Sequence, residues 1–356
     1  MVRDRFSRRD FSALLLGLAG LPFAYSAGGI DEAFADNQVR TYVDDLDRSV
    51  NLPSAVNSVA ALGVNAQTLL VQLCPDNLVS LTKVADSSDS LDFEAAGVSD
   101  SVVQLGTGVL NSSDIDKVEP DVCRFLYPDL MVDAGLNREG LAEELDELQS
   151  ATGIPCVFLD LSFGSLADAY RKLGAIFDCG VRAELLACQT ESIQADTENC
   201  IYDLLGAFPS AVYAPRARGI DVSSSIKVQL DALEHVGAKV VYDAYDFQHH
   251  TIDFDALDRT PPEVIVFDDL SSEGQMASRQ GEIADTWQEV VDKYCIRTIM
   301  APARMHSWFR SMVFVQSIGL LWLRHVFALS HDDGVFRNEV DQFYELYFGY
   351  CPSEVE

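Results

Sequence analysis

The 356-residue chain carries 56 acidic against 25 basic residues, a formal net charge of −31. That balance repels phosphate backbones and anionic lipid, which excludes nucleic acid and a basic membrane-binding patch. Hydrophobic residues make up 48%, enough for a buried core, and the length suits two domains or one bilobal unit.

Residues 1–35 read as an export signal. MVRDRFSRRDF is a basic start containing Arg8-Arg9, SALLLGLAGLPF is a short apolar run, and Ala33-Phe34-Ala35 is a small-x-small cleavage site. SRRDF resembles the twin-arginine signal, which implies export of an already folded chain. The first Cys is Cys74, far from the apolar run, so no lipid anchor is expected. The exported protein then belongs in the periplasm or at the outer cell surface.

VRTYVDDLDRSVNLP (39–53) predicts an opening hairpin that turns near Asp45–Asp47. SVAALGVNAQTLLVQL (58–73) predicts a buried strand, a turn at Gly63, and a helix with Asn65 as its N-cap. NLVSL and SVVQLG are further strands. Residues 114–135 and 138–160 each read as a helix followed by a strand, punctuated by Pro128 and by Gly153-Ile154-Pro155. Leu166–Asp178 and Val181–Leu205 read as helix, broken only at Gly180. The alternation restarts with SAVYA (210–214), a helix over 224–237 and AKVVYD. DFDALDR, PPEVIVFDD, ADTWQEVVDKY and CIRTIMAP continue it. Strands alternating with helices of this size predict a largely parallel α/β sheet.

SWFRSMVFVQSIGLLWLRHVFALS (307–330) is the most apolar segment outside the first thirty residues. Arg310 and Arg324 bracket only Ser311–Leu323, which holds Gln316. That is too short and too polar for a span of about 20 apolar residues. Phe309, Met312, Val313, Ile318, Leu321, Trp322, Val326 and Phe327 cover a broad arc, as in a buried helix. The eight cysteines include no C-x-x-C, so neither a zinc ribbon nor a redox motif is expected. Cys179, Cys188 and Cys200 cluster in one helical region that has room for a single disulfide.

Several stretches, in order, match one family. VDDLDRSVNLP is similar to its DxxGRxVxLP opening, with Asp47 in place of Gly. VEPDVCRFLYPDLMV, LQSATGIPCVFLD, YRKLGAIFDCGVRAELLACQ, TPPEVIVFDD, SWFRSMVFVQSIGLLWL and VDQFYELYFGY follow at matching spacing over most of the chain. The sequence thereby resembles the periplasmic substrate-binding proteins of ABC importers for iron–siderophore complexes, haem and cobalamin, the class with a rigid bridging helix. The resemblance implies two Rossmann-like α/β lobes joined by a long bridging α-helix, with a ligand cleft between the lobes. It divides the chain into a signal (1–35), an N-terminal lobe (36–178), the bridge (179–205) and a C-terminal lobe (206–356). It implies a monomer that captures an iron–siderophore or similar metal chelate and delivers it to a membrane permease. Haem or cobalamin is the alternative ligand, and a surface binding or sensing module without transport is the alternative role.

In an open α/β sheet, ligands sit off the carboxyl ends of the strands. That rule selects loops at Gly63–Ala66, Gly106–Val109, Asp133–Gly135 and Ser162–Gly164. It also selects Tyr213–Arg218, Tyr245–His250, Asp269–Glu273 and Met305–Phe309. The candidate ligand residues there are Asn65, Gly108, Phe163, Tyr213, Arg216, Arg218, His306 and Trp308. The aromatics suit a macrocycle or aromatic chelator, the arginines an anionic chelate, and His306 a metal or haem iron. His249-His250 shows no carboxylate or Cys at ligand spacing, and no resident metal or cofactor is expected. In the family, one acid on each lobe docks permease arginines. Counting back from Pro128 and Pro262 places these at Asp121 and Asp255. An enzyme is not expected: GTGVLN (106–111) has Asn111 where a dinucleotide fingerprint needs its third Gly. No P-loop and no G-x-S-x-G occurs.

Overall fold

A computed structural model describes residues 39–82, 95–98, 103–105, 118, 120–214, 226–249, 251–268, 280–302, 308–309, 311–328 and 333–351. The export-signal reading of residues 1–35 lies outside the described residues.

The chain opens with an antiparallel hairpin of β1 (Arg40–Val43) and β2 (Ser49–Leu52). Its turn is organised by Asp44, whose carboxylate accepts the backbone N–H groups of Leu46, Arg48 and Phe158. The same carboxylate pairs with the Arg48 guanidinium at 2.6 Å. Both side chains are buried, and Arg48 also donates to Cys156 O, pinning the hairpin to the first sheet. Removing Arg48 would leave the buried Asp44 carboxylate without its counter-ion, at a cost of about 3–5 kcal/mol, whereas Arg48 has a second partner in Asp146 at 3.1 Å. Asp47 sits at φ 59°, a left-handed turn position. Glycine reaches that conformation without strain, which explains the Gly of the matching pattern.

The first sheet contains β3 (Val59–Ala61), β4 (Leu78–Thr82), β5 (Val103–Leu105), β6 (Leu130–Gly135) and β7 (Cys156–Asp160). All are parallel, in the order β5-β4-β3-β6-β7. Every residue of β6 is buried, as in a central parallel strand covered on both faces. One face packs on α1 (Val64–Leu73), in which nine of ten residues are buried. The other packs on α2 (Pro120–Leu126) and α3 (Leu141–Thr152). In α3 the buried positions Leu141, Leu145, Leu148 and Thr152 form a single stripe.

Helices α4 (Leu166–Ile176) and α5 (Gly180–Thr197) then form a tight hairpin. A Cβ built on Gly174 would lie 2.3 Å from Ala183 Cβ, so the crossing admits no side chain there. The single helix expected over 179–205 is two: the chain breaks at Glu198 and Asn199, and α6 spans Cys200–Leu205. Asn199 takes φ 53°, and its N–H bonds His235 O at 2.8 Å. Arg182 on α5 donates to Gln72 O of α1 and to Tyr347 O, tying the bridge to both halves.

The second sheet has β8 (Ser210–Ala214), β9 (Lys239–Val240), β12 (Val264–Asp268) and β13 (Arg297–Ala301), in the order β13-β12-β8-β9. A small antiparallel hairpin, β10 (Tyr245–Asp246) with β11 (Thr251–Ile252), follows β9. Helices α7 (Lys227–His235), α8 (Phe254–Arg259) and α9 (Gln280–Tyr294) connect the strands. Both sheets therefore run a first strand, step outward, and return to the other side of that strand. The duplication reaches single atoms. Ser58 Oγ accepts the Asp129 N–H at 2.9 Å while Asp129 Oδ2 accepts the Ser58 N–H at 3.0 Å. In the second lobe, Ser210 Oγ accepts the Glu263 N–H at 3.0 Å and Glu263 Oε2 accepts the Ser210 N–H at 2.8 Å.

Most described residues of the apolar C-terminal segment are buried, and no helix among the described residues is long and apolar enough to cross a membrane. It is not one helix, however. Residues Met312–Val315 form α10 and Ile318–Phe327 form α11, separated at Gln316–Ser317. The terminal helix α12 (Asp333–Phe348) packs on α11 and α1. Cys179, Cys188 and Cys200 are unlinked thiols, so that cluster carries no disulfide.

Candidate functional site

Each sheet reverses strand order once, between β3 and β6 in the first lobe and between β8 and β12 in the second. Such switch points open ligand crevices at the carboxyl ends of the strands. In the first lobe Gly63, not Asn65, is the N-cap of α1, and no side chain caps this helix. Asn65 lies inside the first turn, buried, and its amide reaches Ala134 O at 3.4 Å. It thus spans the switch point from the β3 side to the end of β6.

Asp133 to Gly135 are the last residues of β6 and are buried, not a loop. The Asp133 carboxyl is fully enclosed, and neither oxygen has a hydrogen-bond partner. Burial pushes it up to about 7. The Ala134 N–H and the guanidinium groups of Arg138 and Arg48 oppose that shift, and Glu144 adds to it. The Ala134 N–H acts through proximity only, since no hydrogen bond of proper geometry reaches the carboxylate.

After β7, Asp160 accepts the N–H of Ser162 at 3.2 Å and the Ser162 hydroxyl. Phe163 is half-buried, with its ring centre 5.1 Å from that of His235 in the last turn of α7. Gln316 meets the same loop from the second lobe. Its Oε1 accepts the Gly164 N–H at 2.8 Å, and its Nε2 donates to Leu161 O at 3.1 Å and Met312 O at 2.9 Å. Gln316 is not among the candidate ligand residues that the sequence offers. The available signal was a single amide in an apolar helix, which must find partners when buried.

In the second lobe, two residues expected to face ligand are packed away. Tyr213 is 1% exposed, and its ring meets Phe309 edge-on at 5.1 Å. Its backbone exchanges two hydrogen bonds with the Tyr245 hydroxyl. Trp308 is 8% exposed, and its indole N–H donates to the Tyr344 hydroxyl at 2.9 Å. Tyr213 belongs to the core because the end of β8 is buried, and Trp308, seven residues beyond β13, packs on Phe336 and Tyr344 of α12. His249 does have an acid partner: Asp246, three residues earlier, lies 2.7 Å from its Nδ1 and is held below the usual carboxylate range by that contact. No group of three metal-ligating side chains forms among the described residues. Gly108, Arg216, Arg218 and His306 lie outside the described residues.

Asp121 and Asp255 occupy matching places. Each stands in the first turn of a short helix, α2 or α8, that feeds the strand beyond its switch point, β6 or β12. Both are exposed, and Asp121 is 3.2 Å from Arg124.

No protein-family model matches the sequence, and no curated protein does. Solved structures are similar. An ABC transporter solute-binding protein from Sulfurospirillum deleyianum superposes with a TM-score of 0.65, covering 88% of this chain and 96% of that one at 15% identity. MolA, a molybdate periplasmic binding protein from Haemophilus influenzae, gives 0.62 over 88% and 98% at 17% identity. The heme-binding protein HmuT gives 0.56 over 87% and 96% at 14% identity. The likeness is one of fold, and the fold is that of ABC-transporter solute-binding proteins: two parallel α/β lobes on a helical bridge.

Proposed function

We propose that this chain is the extracytoplasmic solute-binding component of an ABC importer. In this reading it captures an iron–siderophore or a similar metal chelate between its lobes and hands it to a membrane permease. It acts as an exported monomer that binds and releases, not as a catalyst. The observation that carries the reading is the duplicated lobe, with two switch points and an exposed acid at the same place in each. Asp121 and Asp255 are the permease-docking residues, reached by permease arginines in an encounter that charge accelerates. The ligand residues are drawn from the strand-end loops: Asn65, Gly108 and Phe163 in the first lobe, and Arg216, Arg218 and His306 in the second.

The ligand class rests on the sequence resemblance. The similar solved structures include a molybdate-binding and a heme-binding protein, so an oxyanion or a macrocycle is the second reading. Ligand sites are grafted onto a shared scaffold, and scaffold likeness does not select among them. The test is a panel on the purified chain from Asp36 onward: ferric siderophores, haemin, cobalamin and molybdate, read by tryptophan fluorescence, visible absorbance and melting temperature. One-to-one saturation by a ferric siderophore supports the first reading. Saturation by haemin, cobalamin or molybdate moves the assignment to that ligand, and silence across the panel favours a binding role outside transport.

A further inference from the structure

The two acid-bearing helices are equivalent in place but not in surroundings. On α2, Phe125 follows Asp121 by four residues, which puts both on one helical face. Phe125 is 85% exposed and Tyr127, at the helix exit with φ 49°, is 79% exposed. Among the described residues these are the two most exposed aromatic rings. With Pro128 aligned on Pro262, their counterparts are Arg259, the last residue of α8, and Pro261 just beyond it. Arg259 is exposed and lies 3.6 Å from Asp253, while Arg124 is replaced by Asp258, which pairs with Lys293 at 3.0 Å. One face thus offers an acid, paired at 3.2 Å with the exposed Arg124, beside two bare rings, and the other offers charges without exposed rings.

Bare aromatic rings rimmed by charge have the composition of an interface hot spot. We propose that Phe125 and Tyr127, beside Asp121, form an aromatic anchor for the permease, and that the α8 face has no such anchor. The proposal rests on the importer reading above and specifies how the partner is held. The partner surface it fits is an apolar hollow with a basic rim on an integral membrane protein. A second copy of this chain is a poor occupant. Two chains of net charge −31 repel, and a two-fold contact on this face would set Asp121 near its own copy. Anionic lipid is repelled for the same reason.

Photo-crosslinking tests this in the full chain exported by its native host. Benzoyl-phenylalanine replaces Phe125, Arg259 or, as a control, the 90% exposed Val181 on the bridge. Adducts are identified by mass spectrometry, and melting curves check that each variant folds. The expected result is an adduct from position 125 with a polytopic ABC-transporter subunit, above the yield at position 181. Phe125→Ala with Tyr127→Ala should lower the membrane-protein adduct from position 259 about tenfold. A permease adduct from position 259 that the double variant leaves unchanged overturns the anchor and leaves the importer reading standing. No membrane-protein adduct from either position overturns both. Adducts from position 125 confined to lipid, to a second copy of this chain, or to the control yield overturn the anchor.

Discussion

Asp133 is enclosed at the end of β6 with no donor for either oxygen, and its carboxyl is held near 7 by burial. An unfolded Asp titrates near 4, so between about pH 4 and pH 7 the native state holds the proton more tightly. Stability from this group is therefore greatest below about pH 4 and falls as pH rises to about 7, above which the penalty is constant. Asp133→Asn should raise stability above pH 7 by about 2–4 kcal/mol, at about 1.36 kcal/mol per pKa unit, and the gain should vanish towards pH 4. Urea titrations across that range would show it, and a pH-independent difference would contradict it. Gly174 makes a second case. Gly174→Ala should cost about 1–3 kcal/mol through the clash with Ala183, and adding Ala183→Gly should restore most of it. A double-mutant cycle by chemical denaturation reads the coupling. At this scale the sequence was least legible. Tyr213 lies near a strand end and Trp308 in the segment after β13 whether they face a cleft or a core, and only packing tells which. Counting back from Pro128 and Pro262 reaches two exposed acids in matching helix turns, Asp121 and Asp255, whose docking role is a proposal.

Elements were far more legible than side chains. Nearly every predicted strand and helix forms, because alternating apolar runs and Gly or Pro punctuation act locally. AKVVYD is an exception. Only Lys239–Val240 pairs as strand, and the chain then turns through a 3-10 segment at Tyr242–Ala244. The segment 307–330 is another. Periodicity predicts one helix, but the buried Gln316 reaches across to the first lobe and Gly319 lies under Trp308 O, where a Cβ would approach to 2.6 Å. A tertiary contact sets that break, so no local pattern announces it. Gln316→Leu keeps the volume and removes both ties to the first lobe. It should lower stability by about 1–3 kcal/mol for each partner left unmade, and it should speed ligand release. Calorimetry with stopped-flow release checks both effects, and an unchanged release rate would leave Gln316 a packing residue only.

For the whole molecule, fold class was readable because two rounds of strand–helix alternation flank one long helical stretch. The equivalence of the halves shows in their strand orders and, at single atoms, in the matching Ser58–Asp129 and Ser210–Glu263 clasps. Charge reversal tests the docking reading at this scale. Asp121→Arg with Asp255→Arg should abolish uptake in whole cells while ligand affinity in solution changes less than about twofold, because both acids are exposed on short helices and neither is among the candidate ligand residues. Normal uptake by that variant would remove both residues from the docking surface.

Among the eight thiols, only Cys188 on α5 and Cys295 ahead of β13 are exposed; the others are buried or half-enclosed. The Cys188 thiol is raised by its hydrogen bond to Glu184, so it reacts slowly but remains accessible. A thiol-reactive spin label on the folded native sequence should therefore count about two per chain and rise to eight after denaturation. One label would ride on the bridge and the other on the second lobe. The unmodified protein thereby carries its own ruler, on which ligand-driven lobe movement can be read as a change in a single distance.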